Sequence, residues 1–371
     1  MSKRTVAILV AVFVALLALV MFGQREGTSP AGAGAPLIAG LEDALGDIER
    51  VTVTKANGET VATIEKRPDN WVVTDKHDYV ANAAKLRQAL TALSEARILE
   101  QKTANAELYG RLGVEDVTAP DAAGVSIALS AAGRELPTII LGNAEGAKYR
   151  YARRAGEAQS FLIDRNPDVP RAAAQWLESQ IIDVRGERVR EVTITHPDGE
   201  VVHISKTGPE LANFEVAAVP EGRELSYPGV ANVIGNALRE LNLEDVEPAD
   251  TAAAEEATVV ELKTFDGLVV KVTGVERDDA SWITLEASAD PSPAAAAPPA
   301  ATEAAAEPAS DGAAAPAEGA ASATPPAAAD PAAEAARING KVSGWRYKIA
   351  SFQYDQLTRR MADLLKAPPA D

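Results

Sequence analysis

No cysteine occurs among the 371 residues, and only three are histidine. A zinc ribbon, an iron–sulfur protein, a c-type haem carrier, a thiol enzyme, a disulfide-stapled secreted domain and a cysteine-anchored lipoprotein all need what is missing. Basic residues are also in the minority: 36 Lys and Arg stand against 54 Asp and Glu, a formal net charge of -18. Polyanions are held chiefly by Lys and Arg on their phosphates, so no nucleic-acid partner is expected. The chain contains no Gly-x-Ser-x-Gly elbow, Walker loop, strand-linked Gly-x-Gly-x-x-Gly or His-Glu-x-x-His. The usual marks of acyl transfer, nucleotide hydrolysis, dinucleotide redox chemistry and zinc hydrolysis are therefore absent, and no catalytic residue, cofactor or metal site is predicted. Carboxylate pairs, all that a glycosidase needs, arise by chance among so many acids and carry little weight.

Charge is lacking altogether from Thr5 to Gly23. That run is long enough to cross a hydrocarbon core of roughly 30 Å as a helix. Lys3 and Arg4 precede it, so the positive-inside rule puts the N-terminus in the cytoplasm and the bulk of the chain in the periplasm or outside. Residues 1–23 are expected to be a cytoplasmic tip and an uncleaved inner-membrane anchor, with Val6 to Phe22 in contact with lipid. Residues 24–40, rich in Gly, Ala, Ser and Pro, read as a flexible stalk. Large apolar side chains are also missing from Pro291 to Ala336, which is almost entirely Ala, Pro, acids and small polar residues. Such a stretch cannot offset the entropy of ordering, and disorder is expected over 291–336.

Between these regions the sequence repeats itself. VTVTKANG (Val51–Gly58), VTITHPDG (Val192–Gly199) and VELKTFDG (Val260–Gly267) each alternate apolar residues into an Asn-Gly or Asp-Gly pair. Each is followed by a second β-rich run (Val61 to Ile64, Val201 to Ile204, Val269 to Val272), the signature of a tight hairpin. Ser126 to Leu141 is a looser copy. Helical spacing follows each hairpin region. Its four stripes are Leu86, Ala89, Leu90 and Leu93; Ala173, Trp176, Leu177 and Ile181; Val230, Ile234, Ala237, Leu238 and Leu241; and Leu357, Met361, Leu364 and Leu365. The expected fold class is α+β: a transmembrane helix, then two lobes (41–183 and 184–371) built from four repeated units of antiparallel strands plus one helix. Lys148 to Arg154 with Ser160 to Asp164, and Ser281 to Glu286 with Gly344 to Ile349, occupy corresponding places. The Ala/Pro tract is then a swollen hairpin loop, and the last helix, Gln353 to Lys366, must return to complete the second lobe.

Tyr149-Arg150-Tyr151-Ala152-Arg153, and above all Gly344-Trp345-Arg346-Tyr347-Lys348-Ile349 leading into Tyr354-Asp355-Gln356-Leu357, resemble the bacterial proteins grouped under domain of unknown function 4340. The resemblance implies an accessory, extracytoplasmic protein tethered by one helix, with subunits of an ABC-type export system as the partner. It carries no catalytic residues.

The most distinctive surface candidate is a basic and aromatic run in an acidic chain. Tyr149, Arg150, Tyr151, Arg153 and Arg154 form the candidate partner contact, because guanidinium groups pair with anionic groups in forked geometry. The plainer reading is that the tyrosines pack and the arginines pair with surface acids. Arg185, Arg188 and Arg190 read as a solvated strand edge. His196, Asp198 and His203 surround one turn, but hairpin spacing does not by itself assemble three ligands. Trp71, Trp176, Trp282 and Trp345 are expected in the core, with an aromatic glycan platform as the alternative. A glycan-binding module and an envelope hydrolase remain the competing functions.

Overall fold

The computed structural model describes residues 34–249, 256–290 and 330–367. The expected anchor, Val6 to Phe22, lies outside the described residues, as does 291–329; among the described residues no helix is long and apolar enough to cross a membrane. The chain divides into two compact units between Glu178 and Ser179. Each is a nine-stranded antiparallel sheet with a few helices.

In the first unit the strands are β1 (Ile48–Lys55), β2 (Glu59–Lys66), β3 (Trp71–Val73), β4 (Tyr79–Val80), β5 (Ile98–Gln101), β6 (Val125–Ala131), β7 (Ile139–Glu145), β8 (Tyr149–Arg154) and β9 (Ser160–Ile163). Their order across the sheet is β4-β3-β2-β1-β6-β7-β8-β9-β5. The β1–β2 hairpin forms as the sequence predicts, with Val51 opposite Ile64 and Asn57 and Gly58 both at positive φ (61° and 66°) in the turn. Only Gly and Asn adopt that conformation readily, which is why the Asn-Gly pair is so informative. Between β4 and β5 lies α1 (Ala83–Glu95), whose stripe of Leu86, Ala89, Leu90 and Leu93 is buried. Asn82 caps it by accepting from the Lys85 backbone N–H at 2.9 Å, and capping of this kind is worth about 1 kcal/mol. After α1 the chain crosses the unit so that β5 pairs with β9 at the far edge.

The second unit holds β10 (Gln180–Ile182), β11 (Val189–Thr195), β12 (Val201–Ser205), β13 (Glu215–Val216), β14 (Leu241–Pro248), β15 (Thr258–Thr264), β16 (Leu268–Arg277), β17 (Ala280–Ala289) and β18 (Trp345–Ile349). Its order is β10-β14-β18-β17-β16-β15-β11-β12-β13. Read from the other edge, β12-β11-β15-β16-β17-β18-β14 follows the path of β2-β1-β6-β7-β8-β9-β5. The Asp198-Gly199 and Asp266-Gly267 hairpins form with Val192 opposite Ile204 and Leu262 opposite Val270. β10 belongs to this sheet through β14, so the division falls ahead of the expected lobe start at Val184.

Several expectations are corrected. The stalk does not extend to Gly40: Leu37 and Ile38 are buried, Leu37 N–H donates to Ala96 O at 2.9 Å, and Ile98 N–H donates to Ala35 O at 2.9 Å. Two large apolar residues inside a Gly/Ala stretch suffice to dock it beside β5. The Ala/Pro tract is folded from its end inward, because Pro331 to Ala336 begin a helix, Pro331–Val342. Asp330 caps it by accepting from the Ala332 and Ala333 backbone N–H groups, and Ala335, Ile338 and Val342 are buried as it packs on β17 and β16. Ile338 and Val342, the larger apolar residues that anchor this helix, lie beyond the low-complexity composition that suggested disorder.

Three of the four expected helices are short. Of the Val230–Leu241 stripe only Asn232–Gly235 is helical, and Leu241 opens β14. A Cβ on Gly235 would sit 2.1 Å from the Phe214 ring, so the packing of Phe214 requires glycine at the end of that turn. Ala173–Trp176 forms a single 3-10 turn, after which Leu177 pairs with Ala81. The final helix is split into Ser351–Leu357 and Met361–Leu364. Thr358 Oγ1 donates back to Tyr354 O at 2.9 Å, and Asp363 caps the second segment by accepting from Arg360 N–H at 3.0 Å.

Candidate functional site

β8 carries the basic and aromatic run, and its pleat sends neighbouring side chains to opposite faces. Arg153 is only 3% exposed. Its Nε donates to Val114 O at 2.8 Å, Nη1 to Glu157 O at 2.9 Å and Nη2 to Asp116 Oδ1 at 2.7 Å, while the guanidinium stacks 4.6 Å from the Tyr109 ring centroid. Such a fully engaged arginine is a fixture of the fold. Arg154 faces the other way, donating through Nε to Leu37 O at 2.9 Å and lying 5.4 Å from the Phe161 centroid. Arg150, on the same face, donates through Nη1 to Pro167 O at 2.6 Å. Tyr149 is half-buried beneath Lys148, whose Nζ is 5.4 Å from its ring.

Tyr151 is the member of the run that reaches a cleft. It lines an open groove of about 560 Å³ with Lys102, Leu108, Arg111, Leu112 and Asn143, among others. The floor continues a small core of Tyr109, Val114 and Ile140, against which Leu112 and Tyr151 pack. Tyr151 OH donates to Glu145 Oε2 at 2.8 Å, and that bond raises the phenol above its ordinary pKa. Lys102 Nζ sits 5.9 Å over the Tyr151 ring and 2.9 Å from Glu100, whose hydrogen bond raises the ammonium. Arg111 is exposed on the one-turn helix Tyr109–Leu112, and no ion pair holds it among the described residues. The groove therefore offers an aromatic and aliphatic floor with two cations, an amide and one carboxylate at its rim. Its one hydroxyl–carboxylate pair is Tyr151 with Glu145.

Lys102, Arg111 and Asn143 escape sequence reasoning because they arrive from three elements. Lys102 follows β5, Arg111 belongs to the turn packed under β8, and Asn143 lies on β7. Only the crossing of β5 to β9 assembles them. Gly142 and Gly124 give a faint signal, since a Cβ on either would clash with a backbone oxygen of the Leu112–Gly113 turn at 2.3 Å and 2.4 Å.

The other candidates are dispersed. His196 is buried, with Nδ1 3.4 Å from Thr258 Oγ1, and His203 Nδ1 lies 3.0 Å from Thr193 Oγ1. Asp198 instead meets Arg360 at 2.7 Å. Among the described residues no group of three or more His, Asp or Glu side chains is placed to hold a metal ion. Trp176 is fully buried, with Nε1 donating to Pro170 O at 3.2 Å. Trp71, Trp282 and Trp345 are half-buried; Arg346 covers Trp282 at 5.4 Å, and Trp71 lines a cleft of about 250 Å³ beside α1. Arg188 and Arg190 do not form a strand edge, because β11 lies inside its sheet between β15 and β12. Arg188 binds Asp266 and Glu334, and Arg190 binds Asp290.

Against known proteins, no curated protein and no solved structure matches the chain. A family model does match, from residue 71, where β3 begins, to residue 259 in β15. That span covers just over half of the sequence, and the chain belongs to the family described as Domain of unknown function (DUF4340).

Proposed function

We propose that this protein is a non-catalytic extracytoplasmic accessory or scaffold protein, tethered to the inner membrane by Val6 to Phe22 and associated with the subunits of an ABC-type export system. The observation that carries the reading is the duplicated sheet path, β2-β1-β6-β7-β8-β9-β5 and β12-β11-β15-β16-β17-β18-β14. It supports one strand path used twice, once in each sheet platform. Family membership and the uncharged N-terminal run add to it. The contact surface of the first platform is the Tyr151 groove, where an apolar floor and exposed cations suit a protein segment bearing acidic and apolar side chains.

Crosslinking in native membranes, followed by purification in detergent, tests this reading. Transporter subunits are expected to travel with the wild-type protein, and Arg111→Glu is expected to reduce their recovery. Repeated isolation of the protein alone, with crosslinking also blank, overturns it. Trp71 favours a second reading, a glycan-binding envelope module, since its half-buried ring borders a cleft. Quenching of tryptophan fluorescence by cell-wall glycan fragments, lost in Trp71→Ala, distinguishes that case.

A further inference from the structure

The repeated strand path lines up the two units residue by residue. Tyr151, opposite Leu162 on β9, and Trp282, opposite Lys348 on β18, hold corresponding places. Lys102, whose N–H donates to Ser160 O, corresponds to Glu247, opposite Arg346. Glu145, opposite Tyr149, corresponds to Arg277, opposite Ala280. Ser160 itself corresponds to Arg346, since each lies one residue ahead of the aromatic, Phe161 or Tyr347, that pairs with the neighbouring strand.

The side chains at these places differ in one consistent way. In the second unit Arg346 stands 5.4 Å over the Trp282 ring and donates through Nε to Glu247 at 2.9 Å, and Arg277 approaches the same carboxylate at 3.6 Å. Cation, anion and cation thus alternate around the ring. In the first unit both flanking charges are reversed, with Glu145 in the place of Arg277 and Lys102 in the place of Glu247. The third charge is missing, because Ser160 is fully buried and its hydroxyl donates to Thr103 O at 2.7 Å. Over Tyr151 there is instead the groove of about 560 Å³, which Lys102, Arg111 and Tyr151 line together with Leu108 and Leu112.

We infer that the groove seats a carboxylate of an acidic peptide, held by Lys102 and Arg111 over the Tyr151 ring, where the second unit has the guanidinium of Arg346. Reversal of both flanking charges sets the sign of the missing group, and a carboxylate accepts from cationic donors as a guanidinium donates to acids. Glu145 does not fill the seat, because it is turned to the Tyr151 hydroxyl. Glu100 holds Lys102 at 2.9 Å, but both side chains reach solvent, and an exposed pair of that kind costs little to exchange for a competing carboxylate. Leu108 and Leu112 supply an apolar wall for the residues that flank the acid. The inference rests on the reading of this groove as the contact surface for a protein partner.

The test is calorimetric titration of the full-length protein in detergent, at fixed ionic strength, with two blocked tripeptides, acetyl-Leu-Asp-Leu amide and its neutral isostere acetyl-Leu-Asn-Leu amide. The aspartyl peptide is expected to bind about tenfold or more tightly than the asparaginyl one, the difference that a charge-assisted hydrogen bond makes. Lys102→Gln and Arg111→Gln are each expected to reduce that preference, and Lys148→Gln, which removes an exposed cation outside the groove, to keep it. Lys102 and Arg111 are themselves exposed, so their variants are expected to fold. Lys102→Glu installs the charge of Glu247 and is expected to turn the preference to acetyl-Leu-Arg-Leu amide, an outcome that structural damage does not produce. Equal affinities for the first two peptides in the wild type, no binding of either, or a preference that survives both glutamine variants overturns the seat. Co-purification separates this inference from the export-partner reading. Peptide preference without transporter subunits keeps the seat and removes that partner, whereas recovered subunits without peptide preference do the reverse.

Discussion

Arg188 and Glu334 meet as a forked pair across 146 positions of sequence, with Nη1 3.0 Å from Oε1 and Nη2 2.7 Å from Oε2. The same Nη2 lies 2.7 Å from Asp266 in the β15–β16 turn. These carboxylates, Glu334 first, raise the Arg188 guanidinium above its ordinary pKa. Two positions along, Arg190 reaches Asp290 at 3.1 Å. Asp290 N–H donates to Gly267 O at 2.8 Å, and a Cβ on Gly267 would stand 3.4 Å from Pro331. The chain therefore leaves the sheet and returns to it at one turn, and the two arginines fasten both ends.

That geometry predicts a sharp boundary for deletion. Removing 291–329 and joining Asp290 to Asp330 by a short Gly/Ser linker is expected to leave the thermal midpoint nearly unchanged, since loop-closure entropy varies slowly with length. Extending the deletion through Ala336 takes away the Asp330 cap, the first turns of Pro331–Val342 and the Arg188–Glu334 pair. A loss of about 1–3 kcal/mol is expected from those contributions. Parallel melts of the two variants decide it, and equal midpoints would contradict the docked helix.

How far the fold is legible in the sequence depends on how local its cause is. The hairpins are legible because Asn57-Gly58, Asp198-Gly199 and Asp266-Gly267 need only their own backbone. The α1 stripe is legible because Asn82, Leu86 and Leu93 act within one helix. The Val230–Leu241 stripe misleads, since its buried apolar residues span one helical turn and a non-helical run into β14, and Phe214, distant in sequence, fills the space a side chain at 235 would need. Arg188 and Arg190 read as solvated for the same reason: their partners are distant. The Tyr151 groove is half legible, its strand residues from alternation and its Lys102, Arg111 and Asn143 from nothing nearby.

Gly235→Ala tests the first of those distant causes. The added methyl meets the Phe214 ring with no space to spare, and overpacking of this kind costs about 1–3 kcal/mol. Urea unfolding is expected to show that loss, and Phe214→Leu in the same chain is expected to recover part of it. A neutral Gly235→Ala would mean that the ring moves freely.

Acid sensitivity is expected at Glu65. Arg50 donates to it through Nε at 2.8 Å and, with Arg67 at 2.8 Å, holds its carboxyl below the ordinary 4.5. A carboxylate whose folded pKa is depressed contributes its stability above the unfolded value and loses it as pH falls through the folded value. The stability difference between wild type and Glu65→Gln is therefore expected to be full above pH 4.5 and to vanish below the folded pKa. Urea midpoints measured across pH 2–7 check the direction, and a difference that grows on acidification would reverse the assignment.

Arg153 gives the clearest separation between framework and contact surface on β8. Its guanidinium satisfies two backbone carbonyls, Val114 O and Glu157 O, and stacks on Tyr109 beneath the Tyr151 groove. Truncation leaves the buried acceptor Val114 O without its donor and opens space beside the ring, at a cost of about 2–4 kcal/mol. Lysine cannot reproduce three directions of a planar fork, so Arg153→Lys is expected to recover little of it. Arg111→Ala, on an exposed side chain of the same groove, is expected to change stability by less than about 0.5 kcal/mol. Chemical denaturation of the three variants reads these differences, and a stability loss at Arg111 equal to that at Arg153 would place both in the framework and leave the groove without its proposed contact cation.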